Sequence, residues 1–496
     1  MATSGFGWLS VVPPVLAIGL AVASRRAVPS LLAGTWVGWV IATGHPLTGS
    51  VATIQGIINV LADPDQLRVI VFTLLMGALL LLMQRTGGVA GFLIWVARWR
   101  WSATQRGVRL LAATLGLGVF VESTITCLVV GAVARPMFDR LRMAREKLAY
   151  ICDATSAPVC MLIPVNSWGA LVLGLLTTQA SMGMLGGRAP LSVFLAAVPL
   201  NFYALLSVAL VFVIAATGWD VGPMKTAEQR ARTDGATVAH DARPVVNDTV
   251  LLETNDEAPP RARHFIVPLT ALIVTVLLSI AATGIAGVQR DGVPSPTLLD
   301  YLDAASGSTA VLWGVLAALG TIAGLVTTAP VLPLGALVGA AFRGARTMLP
   351  IATLLVLAFA VGGICDTLGT GAFIAGQVTP YLTPLLVAPL VFLTTGTMAF
   401  ATGTSWGTFA IMIPVALPIA ASMNLDGASV SVPLVVSAVL GGGVFGDHCS
   451  PISDTTLISS MAAWSDHIDH VRTQLPYALL AASGTVFLYL LAGLVA

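Results

Sequence analysis

Stretches of about 20 mainly apolar residues recur along the whole sequence, and each is long enough to cross a bilayer as an α-helix. Only 9% of the residues are charged, which excludes an ordinary soluble domain, where about a quarter are charged. We therefore expect an all-α polytopic membrane protein with about 11 to 13 transmembrane segments, some of them broken helices or hairpins. The candidate segments are 7–24, 29–44, 67–84, 107–134, 149–178, 191–217, 265–288, 308–328, 348–364, 384–414, 433–461 and 475–495.

One stretch near the middle of the chain interrupts the apolar pattern. Residues 219–263 mix both charge signs with Pro, Asp, Asn and Thr and show no sustained amphipathic period, so they predict a charged, soluble linker. The net charge of +1 gives no reason to expect a nucleic-acid partner. The predicted parts of the chain are N-terminal transmembrane helices (1–66), a first repeat (67–218), the linker (219–263), connecting transmembrane helices (264–345), a second repeat (346–465) and a C-terminal transmembrane helix (466–496).

The two halves of the chain resemble each other in the order of their motifs. GVFVESTITCLVV followed by YICDATSAPVC in the first half corresponds to TMAFATGTSWGTF followed by GGVFGDHCSPISDTT in the second. Asp153 leads TSAP as Asp447 leads HCSP. Interrupted hydrophobic segments at matching places are typical of secondary transporters, which bind substrate at the repeat interface near the middle of the membrane. We expect two inverted repeats with the site between them.

Carboxylates within apolar surroundings give the second indication of function. A charge there costs several kcal/mol, so each group must be protonated, hydrated or bound to a cation. Oxygen ligands suit hard cations, and the shortage of grouped His and Cys argues against transition metals. A buried carboxyl that can hold either a proton or Na⁺ is the simplest device for cation/proton exchange. The intramembrane carboxylates are Glu122, Asp153, Asp366, Asp447 and Asp454.

A helix break is predicted in the stretch that contains Asp447 and Asp454. Pro451 cannot donate a backbone hydrogen bond, so we expect a new helix to begin there with Ser450 as its N-cap. The glycines that precede Asp447 allow the backbone to bend or to pack closely against another segment. The five cysteines, at irregular spacing in apolar surroundings, are expected to be free buried thiols.

GDHCSPISDTT, with GTSWGTFAIMIPVALPIA before it, closely resembles the NhaC family of Na⁺/H⁺ antiporters in the ion transporter superfamily. The resemblance covers most of the chain. It implies a transporter, not an enzyme, that exchanges Na⁺ or Li⁺ for H⁺ and needs no cofactor. It also implies a homodimer with a scaffold part and a transport part, in the inner (cytoplasmic) membrane of a prokaryote.

The resemblance also implies which residues bind the ion. Na⁺ would be held at Asp447, Ser450, Asp454 and Thr455. The residues carried over by motif in the second repeat are Asp447, Ser450, Ser453, Asp454, Thr455 and Thr456. The counterparts suggested by the internal repeat are Glu122, Ser123, Thr124, Asp153, Thr155, Ser156 and Asn166.

Three other functions would also place aspartates and polar groups within a membrane. A membrane-embedded aspartyl protease would use two aspartates, but the expected neighbours of Asp447 and Asp153 are missing and the many hydroxyls would have no role. A passive channel does not need duplicated breaks with titratable groups. A proton- or Na⁺-coupled exchanger of small organic acids such as malate and lactate is the alternative. An organic anion would want a cationic anchor or a free helix N-terminus, and the half-helix expected to begin at Pro451 could supply the second. The motif regions hold no obvious Arg or Lys within the membrane, which favours the bare cation.

Overall fold

A computed structural model of the chain describes residues 6–24, 26–97, 104–120, 122–244, 259–328, 333–370, 373, 377, 382–425 and 429–495. No β-strand occurs among these residues, and the predicted all-α class is confirmed. The helices are α1 (Val12–Ser24), α2 (Ala27–Thr43), α3 (Pro46–Ala62), α4 (Pro64–Arg85), α5 (Gly88–Ala97), α6 (Gln105–Gly118), α7 (Ser123–Arg140), α8 (Arg145–Ala154), α9 (Ala157–Leu162), α10 (Ser167–Ser181), α11 (Pro190–Ala197), α12 (Phe202–Thr217), α13 (Pro223–Thr233), α14 (Arg263–Asp291), α15 (Leu298–Asp303), α16 (Gly307–Thr328), α17 (Leu334–Thr347), α18 (Leu349–Thr367), α19 (Pro384–Thr402), α20 (Ser405–Leu425), α21 (Val432–Cys449), α22 (Asp454–Ala463) and α23 (His467–Val495).

Eight helices in the described residues are long and apolar enough to cross a membrane, or up to ten if each of two bent helix pairs is one span. In the first bent pair, Arg145–Leu162 meets Ser167–Ser181 at 43°, and in the second, Pro190–Leu200 meets Phe202–Thr217 at 44°. Three further apolar helices among the described residues are shorter: Gly7–Leu20, Val28–Thr43 and Pro46–Ala62. The expected number of 11 to 13 transmembrane segments is reached only if these three shorter helices also cross the bilayer.

Helix breaks fall where the two halves of the sequence match. In the first half, α6 ends at Gly118 before α7 begins at Ser123, and in the second half, α19 ends at Thr402 before α20 begins at Ser405. The second motif is broken at Thr155 and Ser156 in the first half and between α21 and α22 in the second. A broken helix leaves backbone groups without helical partners, which a membrane protein tolerates only inside protein or beside a cavity. The inverted relation of the two halves stays a prediction.

Glycines bring α21 into backbone contact with α19. A Cβ on Gly446 would collide with the carbonyl oxygen of Gly396, and one on Gly442 would collide with the carbonyl oxygen of Phe392. Small residues allow such close helix crossings in membranes. The glycines before Asp447 therefore serve close packing, as one of the two expected uses, and α21 continues through them without a break.

Part of the segment 219–263, which is predicted to be a charged, soluble linker, is folded against the rest of the protein. Residues 223–233 form α13, which packs against α8 with Met224, Ala227 and Ala231 buried. The ε-amino group of Lys147, fully buried on α8, lies 2.8 Å from a carboxylate oxygen of Asp220 and 3.0 Å from one of Glu228. These ion pairs bind the charged segment to the transmembrane body. Residues 245–258 of the linker lie outside the described residues.

Candidate functional site

The loop between α21 and α22 places the second-repeat motif. Ser453 is the N-cap of α22, and its hydroxyl accepts a hydrogen bond from the Thr456 N–H at 3.3 Å. The expected helix start at Pro451 with Ser450 as N-cap is therefore wrong. The Ser450 hydroxyl instead donates to the carbonyl of Phe400 at 2.8 Å and so fixes the loop to the end of α19.

Asp447 lies at the point where two broken segments meet. Its side chain is fully buried near the end of α21. The hydroxyl of Ser405, the first residue of α20, donates to Asp447 Oδ2 at 2.9 Å, and the hydroxyl of Thr455 donates to the same oxygen at 3.1 Å. Asp447 Oδ1 is buried and has no hydrogen-bond partner. A buried carboxylate oxygen without a donor is the kind of group that takes up a cation or a proton.

Asp454 is the exposed carboxylate beside the buried Asp447. Its side chain is exposed, whereas Ser453 and Thr455 on either side are buried. The N–H of Thr455 donates to Asp454 Oδ1 at 2.8 Å, and the Thr455 and Ser453 hydroxyls lie 3.1 Å apart. Thr455 thus touches both carboxylates, one by its N–H and one by its hydroxyl. Asp447, Ser453, Asp454 and Thr455 therefore lie together, and their binding of an ion stays a prediction.

A cavity of about 910 Å³, which we call the main cavity, opens beside Asp454. Glu122, Ser123 and Thr124 line it from the first half. Glu122 is the N-cap of α7, and its carboxylate accepts from the Ile125 N–H at 3.2 Å. The main cavity is therefore bounded by broken-helix ends from both halves of the chain.

Asp153 forms a second buried cluster behind Asp447. The Thr456 hydroxyl donates to Asp153 Oδ2 at 3.0 Å, and the Gln474 side-chain amide donates to the same oxygen at 2.6 Å. His470 Nε2 lies 3.4 Å from Asp153 Oδ2, and His448 Nε2 lies 4.0 Å from Oδ1. Thr456 also donates to the backbone carbonyl of Asp447 at 3.3 Å, so one hydroxyl links the two clusters.

Residues from three other helices complete these clusters, and Ser405 among them belongs to the GTSWGTF motif. Gln474 and His470 belong to α23, Ser405 begins α20, and the Tyr203 hydroxyl of α12 lies 3.1 Å from His448 Nδ1. Sequence reasoning did not predict them as site residues. The one readable signal was the four-residue spacing of His470 and Gln474, which puts both side chains on one face of the last predicted span.

Three of the predicted first-repeat residues lie in the helix breaks rather than at the unpaired Asp447 oxygen. The Thr155 hydroxyl donates to the Ile151 carbonyl at 2.6 Å, and the Ser156 hydroxyl donates to the Asp153 carbonyl at 2.8 Å. Asn166 is the N-cap of α10, where its side chain accepts from the Gly169 N–H at 2.9 Å. These contacts fasten the bent helices that carry Asp153.

The ligand chemistry available here is that of oxygen. Within the described residues, no group of three or more His, Cys, Asp or Glu side chains is placed to hold a metal ion. Hydroxyl and carboxylate oxygens do converge around Asp447, and such oxygens are the ligands that hard cations prefer. The prediction of free buried thiols is confirmed, since all five cysteines are free and buried.

The geometry can be compared with known proteins. The model of the family described as "Na+/H+ antiporter family" matches residues 159–494. An uncharacterized protein of Haemophilus influenzae is 33% identical over 98% of this chain and 90% of its own length. The Malate-2H(+)/Na(+)-lactate antiporter of Bacillus subtilis is 34% identical over 25% of this chain and 27% of its own length.

The fold also has a solved counterpart. The YdaH transporter of Alcanivorax borkumensis superposes with a TM-score of 0.58 over 89% of this chain and 88% of its own, at 16% identity. That likeness shows the fold alone. The family match covers more than half of the chain, and the resemblance noted from the motifs is confirmed. The chain is a multi-pass membrane transporter, not an enzyme, and belongs to the Na⁺/H⁺ antiporter family.

Proposed function

We propose that this cation/proton antiporter exchanges Na⁺ or Li⁺ for H⁺ by competition at Asp447, with Asp454 as the entry carboxylate. The observation that carries the proposal is the buried Asp447 Oδ1, which has no hydrogen-bond partner although Oδ2 accepts two. Thr455 joins this group to Asp454 on the main cavity. A cation that leaves its water in the main cavity meets oxygen ligands along that path.

The proposed ligand set differs in two members from the sequence prediction, since Ser405 replaces Ser450 and Asp454 lies near the ion instead of binding it. Ser450 was expected to bind Na⁺, but its hydroxyl donates to the Phe400 carbonyl. Ser405 touches Asp447 in its place, so we propose Na⁺ coordination by Asp447, Ser405 and Thr455 oxygens, with Asp454 nearby. This change keeps the oxygen chemistry and draws ligands from the broken ends of α20 and α22.

Exchange follows from the cost of an uncompensated charge. An Asp447 carboxylate that binds Na⁺ or a proton is neutralised, whereas the empty carboxylate would carry a bare charge through the low-dielectric barrier. The two neutralised forms can therefore cross between the sides of the membrane, and the empty form cannot. Protonation on one side expels Na⁺, and Na⁺ binding on the other side expels the proton.

We propose that Asp153 fixes the position of α22 relative to α21 at the helix break between them. Its Oδ2 already accepts from Thr456 and Gln474, and two histidines lie beside it. Because Thr456 also contacts the Asp447 carbonyl, Asp153 positions the start of α22 relative to the end of α21. The homodimer and the location in a prokaryotic inner membrane are proposed on the resemblance alone.

Transport in proteoliposomes tests the proposal. Purified protein would be reconstituted with an internal pH dye and an imposed pH gradient, and NaCl, LiCl and KCl would be added in turn. Wild-type protein should dissipate the gradient with Na⁺ or Li⁺, and Asp447→Asn should abolish the response because the amide cannot exchange a proton. Asp291→Asn, at an exposed site, is the matched control. Retention of pH-dependent exchange by both Asp447→Asn and Asp454→Asn would contradict the assignment.

A further inference from the structure

A second cavity lies between three helices that pack against one another. The helices α10, α18 and α20 are in contact in all three pairs, and the cavity between them has a volume of about 90 Å³. Gln179, Cys365, Asp366, Pro414 and Pro418 are among the residues that line it, and we call it the small cavity. At ~30 Å³ for each water, it has room for a small cation and about two waters.

The same three helices line the main cavity with their N-terminal parts. Trp168 of α10, Leu354 of α18 and Trp406 of α20 are the residues that do so. Gln179 and Cys365 lie eleven residues beyond the first two of these, which is about 16 Å of helix at ~1.5 Å per residue. This displacement is about half of the ~30 Å thickness of a hydrocarbon core. The three helices therefore lead from one cavity to the other.

Asp366 is the intramembrane carboxylate that lies outside the candidate site. It is in the last turn of α18, its side chain is exposed, and no hydrogen bond or ion pair to that side chain occurs among the described residues. The C-terminus of a helix is the negative end of the helix dipole, so a carboxylate there is disfavoured and a cation is favoured. A charge in a transmembrane segment also requires a counter-ion or a proton. A cation bound at Asp366 would offset both costs.

Gln179 places a buried oxygen without a donor at the same cavity. Its side chain is 1% exposed, and Oε1 has no hydrogen-bond partner in the part of the chain that the structure describes. The amide nitrogen lies 3.9 Å from Sδ of Met182, which also lines the small cavity, so the amide end of Gln179 is at the cavity wall. A buried polar oxygen without a partner is costly, and a bound cation would satisfy it.

Pro418 makes a third oxygen available. In an α-helix the N–H of residue 418 would donate to the carbonyl of residue 414, but proline has no N–H. The Pro414 carbonyl in α20 therefore lacks its helical donor, and both prolines line the small cavity. Carbonyls freed in broken membrane helices coordinate Na⁺ in transporters. Carboxylate, amide and carbonyl oxygens are the ligands that hard cations prefer.

We propose that the small cavity is a second cation-binding site, in which Asp366, Gln179 and the Pro414 carbonyl hold a hard monovalent cation such as Na⁺ or Li⁺. A single carboxylate balances a single positive charge, which favours a monovalent cation over a divalent one. That the bound ion is the one exchanged at Asp447 rests on the proposed function, and the small cavity then adds a second binding position on the path of that ion. The ion meets oxygen ligands on both sides of Asp447, with Asp454 towards the main cavity and Asp366 towards the small cavity.

Thermal unfolding of the purified full-length protein tests this site. The parent protein would be Asp447→Asn, which lacks the carboxylate of the main candidate site, in NaCl or in choline chloride of equal concentration at mildly alkaline pH. Because a ligand that binds only the folded protein stabilises it, Na⁺ should raise the Tm saturably above its value in choline. Adding Asp366→Asn or Gln179→Leu should raise the half-saturating Na⁺ concentration about tenfold or more, as expected for the loss of a contact to a charged group. Asp291→Asn, at an exposed site, is the matched control and should leave that concentration unchanged.

Two results would overturn the second site. Equal Tm values in Na⁺ and in choline would show that no cation binds apart from Asp447. An unchanged half-saturating Na⁺ concentration in either Asp366→Asn or Gln179→Leu would place the cation outside the small cavity.

Na⁺-driven proton flux of the wild type, measured in parallel, separates this site from the proposed exchange. If Na⁺ binding depends on Asp366 and Gln179 while the flux is absent, only the proposed exchange fails. If the flux is present and requires Asp447 but Na⁺ does not stabilise the Asp447→Asn protein, only the second site fails.

Discussion

Lys147 provides the most quantitative test of how the charged segment that contains α13 is held to the rest of the protein. Its ammonium group is fully buried and lies 2.8 Å from Asp220 and 3.0 Å from Glu228, which are themselves almost buried. Lys147→Met keeps the volume but leaves two carboxylates without their common cation. Removing one partner of a buried ion pair costs about 3–5 kcal/mol. Arg232 remains 3.7 Å from Glu228, so we expect the lower part of that range.

The assay is urea unfolding in mild detergent, followed by tryptophan fluorescence. A loss of about 3 kcal/mol moves the unfolding equilibrium by roughly two orders of magnitude. Lys225→Met, on the exposed face of α13, should change the free energy of unfolding by no more than about 0.5 kcal/mol. The triple variant Lys147→Met, Asp220→Asn, Glu228→Gln should recover most of the loss. Equal stabilities of Lys147→Met and Lys225→Met would refute the reasoning.

Three further changes test other parts of the structure. Asn166→Ala removes the α10 cap and the amide that donates to the Phe120, Cys160 and Ile163 carbonyls, so the same unfolding assay should show a loss of about 2–3 kcal/mol; no loss would contradict the fastening role. Gln474→Leu removes the donor to Asp153 Oδ2 and to the His448 carbonyl, so Na⁺-driven proton flux should fall, and undiminished flux would exclude the positioning role of this cluster. Burial raises the pKa of Asp466, but hydrogen bonds from the N–H groups of Arg243, Ile468 and Asp469 outweigh it and hold the pKa below its ordinary value. Asp466→Asn should therefore be less stable than wild type near pH 7, and the difference should vanish as the pH falls through the folded-state pKa of Asp466; a difference independent of pH would contradict this.

The sequence was informative where local chemistry decides the structure. Clusters of Pro, Gly and Ser in apolar stretches predicted the helix breaks. Isolated carboxylates in apolar stretches predicted the position of the polar site. Asp447, Asp454 and Thr455 follow from that reasoning because a single short segment contains all of them. The start of α22 was misplaced by three residues, because Ser450 and Ser453 are both good N-caps and only the Phe400 carbonyl decides between them.

The rest of the site depends on tertiary packing. Ser405, His470 and Gln474 come from helices that are distant in sequence, and nothing local shows that they face Asp447 or Asp153. The α13 helix is predictable in principle, since Met224, Ala227 and Ala231 have the spacing of one helical face. The charged residues around them make this apolar face hard to recognise in the sequence.

The pH dependence of the apparent Na⁺ affinity tests the central claim most directly. Initial rates of Na⁺-driven proton flux would be measured in proteoliposomes over a range of Na⁺ concentrations, at a series of pH values on the Na⁺-binding side. Competition at Asp447 predicts that the half-saturating Na⁺ concentration rises about tenfold for each unit by which the pH falls, once the pH is low enough for Asp447 to be mostly protonated without Na⁺. The maximal rate should stay constant. A half-saturating concentration that is independent of pH, with only the maximal rate changing, would contradict competition for one carboxylate.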